Sequence, residues 1–550
     1  MPSSDPSGQS PTPNPQPPTP SSPSGQSPTP NPQPPSSFLW TWRVLCGVLL
    51  AVLAWHGGLF ADRAALASYP FPLDHEEDYL LVHAWRLARG EFYVQPLDEP
   101  PFIVGTYNPL FPMLAALFTD VSDPSFFPGR ALAVGSALLA ALALAALGGK
   151  MSRSALFGLC LGGAWLLSRD ALRWAPLYRV DFLALALGWL ALLPPLFARK
   201  DKDEKLALIL SGALAVSAYF AKQTAATVPL ALALGLIAWR PRLGLIWAGC
   251  VAGAVVALTL FFEVISPGSF LFHTITANAN EFSAWQLGVW ARHFWWFNKV
   301  LVVGIGILSL GGMALRAFEK NILQRPQSLD AAGRLSAILY AALGMASFLG
   351  AGKLGAADNY MLEPLASLLL LLGIVADRLR RSPEGWARLG AWVALIAPIL
   401  LAGHLAFSFR PPSDIAPGFP GPRATLGLGA PTASDKWAAR VVDGLVARNS
   451  ARVFCDRASF ALRHGAPLVL HPFICAQLAR EGKWDDQLAL DYLDTLKPRL
   501  LILTEDLRPA ASLAGDAQYT ERFRAWVLKG YAFREELPGT LFRFYLWERS

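Results

Sequence analysis

Long apolar blocks alternate with short basic stretches through most of this chain. They lie at residues 38–60, 129–149, 151–168, 177–197, 205–221, 224–240, 243–265, 298–318, 332–351, 358–376 and 386–409. A helix needs about 20 apolar residues to span a hydrocarbon core of about 30 Å, so the pattern predicts eleven membrane crossings. The stretch from Tyr107 to Asp120 is also apolar. As a helix it reaches only about 21 Å, which predicts either a dip into the bilayer or a tilted crossing.

Two regions break this rhythm. Residues 1–37 hold two copies of PSGQSPTPNPQPP, at Pro6–Pro18 and Pro23–Pro35, with almost no apolar side chains. Such a tract cannot offset its ordering entropy by burial, so a disordered, partly polyproline-like tail is expected. From about residue 430 the pattern becomes that of a soluble α/β domain, 430–550. Short apolar runs at Val453–Phe454 and Leu500–Leu503 predict buried strands, and Trp437–Ala447 and Gln487–Leu496 have helical spacing. The alternation from Thr540 to Trp547 predicts a last strand. The fold class expected is mainly α: a polytopic helical bundle of about 11–13 helices over residues 38–410, with a small C-terminal α/β domain.

Composition agrees with that class. The 550 residues are 53% hydrophobic and 16% charged, with a mean hydropathy of +0.36. Soluble domains carry about 25% charged residues. The net charge of +7 does not call for a nucleic-acid partner, because Lys and Arg gather between apolar blocks: Lys150 with Arg153, Arg199–Lys205, Arg240 with Arg242, Arg316–Arg334 and Arg378–Arg388. With these loops inside, eleven crossings put the N-terminus in the cytoplasm and the C-terminal domain outside. Loops 61–106, 169–176, 266–297 and 410–550 then share the outer face. Of the five cysteines, Cys46, Cys160 and Cys250 read as packing residues, while Cys455 and Cys475 have the option of pairing in an oxidising compartment. No metal-ligand spacing appears, and a divalent metal stays open as a cofactor.

Candidate chemistry concentrates on the outer face. Asp74, Glu76, Glu77 and Asp78 precede a helix expected over Glu76–Arg89, which Gly90 ends. Asp74 and Glu77 have capping-box spacing, and acids suit a first helical turn. That leaves surplus carboxylates for general-base work. Arg179 and Asp181 stand at the outer end of an apolar block, either as a functional pair or as a structural one, with Arg173 as an alternative partner. Lys222 lies at the junction of two blocks, where a lysine either snorkels to the interface or meets an anion. Asn359, Tyr360 and Glu363 open another apolar helix, as a cap or as an anion-binding N-terminus. Trp285, Trp290, Trp295 and Trp296 in loop 266–297 read as an interfacial belt. Leu147–Met151 lacks the hydroxyl and the glycine spacing of a phosphate-binding loop.

The stretch DHEEDYLLVHAWRLARGEFYVQP…TYNPLFPMLAALF, with Tyr79, Gly90, Tyr93, Tyr107, Asn108 and Pro109, resembles the first outer loop of C-type membrane glycosyltransferases. These are the bacterial relatives of dolichyl-phosphate-mannose protein mannosyltransferases and aminoarabinose transferases. The segments around Arg179–Asp181, Lys222 and Asn359–Tyr360 follow in that family's order. The resemblance implies transfer of a hexosyl or pentosyl group from a polyprenyl-phosphate donor to a hydroxyl of a glycan, lipid or protein acceptor. The setting it implies is the outer face of a bacterial inner membrane. It implies a base among Asp74, Glu76 and Glu77, assisted by Asp181, and a donor phosphate met by Arg179, Lys222, Asn359 and Tyr360. This chain offers Asp74 and a Glu76–Glu77 pair where the family has one Asp–Glu pair, so the three acids stay alternatives. The rival readings are a lipid-linked sugar flippase or transporter, with Arg179, Asp181, Lys222 and Glu263 along a path, and a noncatalytic membrane assembly protein.

Overall fold

The structure, a computed structural model, describes residues 36–198, 201–266, 268–314, 326–380, 387–408, 430–508 and 517–550. The Pro-rich tail and parts of three basic loops lie outside the described residues. Helices α1 to α14 run in order over Ser36–Ala64, Glu77–Ala88, Leu110–Ala116, Phe127–Ser152, Ala155–Leu166, Arg169–Trp174, Asp181–Phe197, Asp201–Ala221, Thr227–Trp239, Pro241–Ile265, Ala284–Ala314, Leu329–Ala346, Leu362–Arg380 and Ala387–Ser408. Among the described residues, seven helices are long and apolar enough to cross a membrane, and four shorter apolar ones, in α5, α7, α9 and α14, complete the eleven blocks. Apolar side chains such as Trp55, Ile209, Val264 and Ile307 point outward, as lipid-facing positions do. Inside, α4 and α5 pack backbone to backbone, since a Cβ at Gly158 or Gly162 would strike the α4 carbonyls of Ala145 or Ala141.

In the bundle, two expectations change. Only Leu110–Ala116 of the Tyr107–Asp120 stretch is helical, about 10 Å of rise, so it neither crosses nor makes a full dip. The block at 298–318 starts fourteen residues earlier, at Ala284, which places all four tryptophans of loop 266–297 on α11 rather than in a loop. Trp285 is exposed and Trp290 half-buried, so their helical spacing turns them to different surroundings.

The C-terminal region carries a four-stranded sheet in the order β1–β2–β4–β3, from β1 (Val453–Cys455), β2 (Leu500–Leu503), β3 (Tyr531–Leu537) and β4 (Phe544–Arg549). β1 and β2 are parallel and fully buried, and the other pairings are antiparallel. The expected last strand therefore starts later, at Phe544, and β3 was not foreseen because its charged residues interrupt the apolar run. Residues Pro34–Ser550 form one compact unit. The loop between α1 and α3 is stitched to the sheet domain: Phe102 N donates to Val469 O at 2.7 Å, His471 N to Phe102 O at 2.9 Å, Trp484 Nε1 to Leu97 O at 2.7 Å and Tyr79 Oη to Asp456 O at 2.9 Å. Cys455 and Cys475 are both buried and free.

Candidate functional site

A cavity of about 290 Å³ opens between the start of α2, one end of the bundle helices and the sheet domain. Its wall includes Asp74, Glu76, Tyr107, Arg179, Lys222, Asn359 and Tyr360, and from the sheet domain Arg457, His471 and Gln518. The chain thus brings together residues as far apart as Asp74 and Gln518, through the parallel β1–β2 edge on one side and helix ends on the other. Carboxyl ends of parallel strands are a common place for ligands in open α/β sheets.

The four clustered acids have four different environments. Asp74 Oδ2 accepts from Arg179 Nη1 at 3.0 Å and from its own loop, Glu76 N, at 3.2 Å. Burial pushes its carboxyl up, against the pull of Arg179, with Glu77 and Glu76 adding to the rise. Glu76 also faces the cavity, with Oε1 3.4 Å from His471 Nε2. Burial alone would raise it too, but the charge and hydrogen bond of His471, then Arg179, hold it down at about 2. Glu77 faces away. It is fully buried, paired with Arg130 through Nε at 2.9 Å and Nη2 at 2.7 Å, and accepts from the backbone of Leu73, Asp74 and Tyr178. The Glu77 half of the expected capping box forms, at 3.2 Å to Asp74 N; Asp74 instead turns its oxygen to Glu76 N. Asp78 faces the sheet domain, accepting from Ser459 N at 3.0 Å and lying 3.4 Å from Arg457, and burial pushes it up to about 6.

Arg179 links three groups. Besides Asp74, it donates through Nη2 to Tyr107 Oη at 2.8 Å, and its Nε lies 3.7 Å from Asp181 Oδ2. Asp181 caps the other end of this chain of charge: its Oδ1 accepts from Lys222 Nζ at 2.7 Å and from Asn359 Nδ2 at 2.8 Å. Lys222 also lies 4.7 Å from the Tyr360 ring centre. Arg173, the alternative partner for Asp181, is instead 2.5 Å from Asp358. Glu263 is not on any path with these groups; it accepts from the amides of Gly268 and Leu271 and closes a turn.

A second recess of about 190 Å³ shares Lys222, Thr224, Asn359 and Tyr360 with the main cavity. It continues along Asp181, Ala184 and Leu185 of α7 to Thr227 on α9 and Glu363 on α13, all helices of the apolar bundle. Among the wall residues that escaped sequence reasoning are Lys353, Arg457, His471 and Gln518. Lys353 had a usable signal, a lone cation between two apolar blocks. Arg457 follows the short apolar run of β1 and precedes a helix start, which marks a strand's carboxyl edge, and His471 also precedes a helix start. Gln518 carries no such mark.

The donor atoms of buried Asp170, His293 and Asp358 lie within 4.8 Å of one another, close enough to share a metal ion. Asp358 already holds Arg173 and the Trp174 indole at 2.8 Å. A divalent ion held by these three donors would share the Asp358 carboxylate with the Arg173 guanidinium.

No protein-family model matches the chain, and no curated protein does. Solved structures do resemble it. An ArnT from Cupriavidus metallidurans bound to undecaprenyl phosphate superposes with a TM-score of 0.52 at 13% identity, over 91% of this chain and 97% of the other. The apo form of that ArnT gives 0.51 at 12% identity, over 90% and 98%. An oligosaccharyltransferase from Archaeoglobus fulgidus matches at 0.44 and 11% identity, over 82% and 70%, too loosely to argue from. The chain shares the fold of that ArnT over nine-tenths of its length, and seven of its described helices are long and apolar enough to cross a membrane.

Proposed function

We propose that this protein is a membrane glycosyltransferase that moves a sugar from a polyprenyl-phosphate carrier to an acceptor hydroxyl. The observation that carries the reading is the continuity of the charged cavity with the recess between bundle helices, joined at Lys222, Asn359 and Tyr360. A ligand with a phosphate head and an apolar tail matches that division. The ArnT of similar fold was solved with such a lipid, undecaprenyl phosphate.

The environments of the acids distribute the roles, since carboxylates with displaced proton affinities take different parts. Asp74, pushed up by burial, is the general base. It takes the proton of the acceptor hydroxyl as that oxygen bonds to the anomeric carbon. The bond from this carbon to the phosphate oxygen breaks, and its electron pair stays on the phosphate. Lys222 and Arg179 neutralise the charge that develops there, and Asn359 and Tyr360 line the same spot. Glu76 stays ionised and offsets the positive charge that grows on the sugar ring. Asp181 holds Lys222 and Asn359 in place. Glu77 has no free lone pair toward the cavity, so its part is to fix the loop that carries Asp74.

The test is transfer of labelled sugar from synthetic polyprenyl-phosphate donors by the purified full chain. Transfer that Asp74→Asn abolishes in a folded protein supports the reading. Transport of the lipid-linked sugar across vesicles without transfer would replace it with the flippase reading.

A further inference from the structure

Most cations on the cavity wall are already paired with carboxylates. Arg179 pairs with Asp74, Lys222 with Asp181, and Arg457 with Asp78 and Asp456. Lys353 differs: among the described residues no carboxylate lies within ion-pair distance of it, and its Nζ donates to the neutral amide of Asn278. Burial, then repulsion from Lys222, bring this ammonium down to about 8, with Glu76 opposing. Lys353 and Lys222 line the same cavity, and like charges that share a cavity raise the energy of the empty site, a cost that an anion bound there removes.

The backbone around Lys353 is fixed in advance. Phe282 and Lys353 form an antiparallel bridge, and Leu354 N donates to Glu281 O at 2.9 Å. Gln286 Nε2 reaches the carbonyls of Lys353 at 2.7 Å and Ala356 at 3.2 Å. Asn280 Nδ2 holds Leu354 O at 2.9 Å. Loop 350–357 therefore presents the lysine from a braced turn, which lowers the ordering cost of binding.

We propose that Lys353 and Lys222 are the two arms of one anion site, which takes a phosphate ester oxyanion between them. This deepens the donor reading above and rests on it for the lipid origin of the phosphate. Lys222 is partly neutralised by Asp181, so Lys353 supplies the net positive charge of the site. The same chemistry suits a lipid-borne phosphate or a water-soluble one, and the experiment separates them.

The full chain in detergent is titrated with polyprenyl phosphate and, separately, with inorganic phosphate. Lys353→Met is expected to weaken binding by about 10-fold to 100-fold, the range for a hydrogen bond to a charged group, and Lys353→Arg by much less. Lys353→Gln, which keeps a donor for Asn278, separates loss of charge from loss of the loop, and thermal unfolding checks that each variant is folded. If folded Lys353→Met and Lys353→Gln bind polyprenyl phosphate as the parent does, the two-arm site is wrong and the donor reading survives. Binding of inorganic phosphate through Lys353 without binding of the lipid would keep the site and sink the lipid donor. A parent chain that binds neither overturns both.

Discussion

His471 Nε2 lies 3.4 Å from Glu76 Oε1, so a side chain of the sheet domain reaches a carboxylate in the loop that precedes α2. Its ring stacks on Tyr79 with centroids 3.6 Å apart, and its backbone is tied to Phe102. Without His471, burial would act on Glu76 with only Arg179 and His75 to oppose it. His471→Gln is expected to lower turnover by about 10-fold, one pKa-scale step of lost charge stabilisation, with little change in donor KM. Because His471 acts through Glu76, adding this change to Glu76→Gln should cost little more. Losses that multiply in the double variant would show that His471 works elsewhere.

Asp74 predicts the pH profile. A base must be unprotonated, so turnover rises as pH rises through its proton affinity, which burial has moved above the usual aspartate range. Glu76, held down at about 2, titrates well below Asp74. Arg179 pulls Asp74 down, so Arg179→Gln is expected to move the acid limb to higher pH as well as lower the plateau. Asp74→Asn should cost about 100-fold to 10,000-fold in turnover. A limb that stays in place in Arg179→Gln would exclude Asp74 as its origin.

Glu77 and Arg130 make the opposite kind of prediction. Both side chains are fully buried, and Arg130 also donates to the carbonyls of Tyr69 at 2.6 Å and Phe71 at 2.8 Å. Arg130→Leu leaves the Glu77 carboxylate buried without its partner, a change that costs about 3–5 kcal/mol in comparable pairs. The measurement is thermal unfolding in detergent: a large drop in Tm for Arg130→Leu and Glu77→Ala, against a small one for Asp74→Asn. Equal Tm values across the three would remove the distinction between scaffold and cavity acids.

The Arg130–Glu77 pair also shows where sequence reasoning stopped. Apolar block length is a local property, so all eleven blocks appear as helices. Asp74, Arg179, Asp181, Lys222 and Asn359 each stand at or beside the end of an apolar block, and these block ends meet around two adjoining cavities. Choosing among Asp74, Glu76 and Glu77 needed partners from 53, 105 and 395 residues away, namely Arg130, Arg179 and His471. Spacing within DHEED holds no record of these. Arg130 did leave a trace, as a charge near the start of an apolar block, where ionisable residues are costly and need a partner. The sheet domain's share of the cavity depended on the register between Phe102 and Leu470, a long-range pairing without a sequence signature.

Asp181 separates binding from turnover. Its Oδ1 holds Lys222 at 2.7 Å, and its Oδ2 lies 3.7 Å from Arg179, so it competes with a phosphate for the same two cations. Asp181→Asn keeps the shape and an acceptor for Asn359 but removes the competing charge. Polyprenyl phosphate should then bind more tightly, by about 10-fold if roughly 1.4 kcal/mol of competition is lifted. Turnover should fall, because Lys222 is less firmly aimed and the leaving lipid phosphate is released more slowly. Titration with polyprenyl phosphate and single-turnover transfer, run on the same preparation, read the two effects apart. Weaker binding of the lipid to a folded Asp181→Asn protein would mean that Asp181 builds the phosphate site rather than competing with the ligand for it.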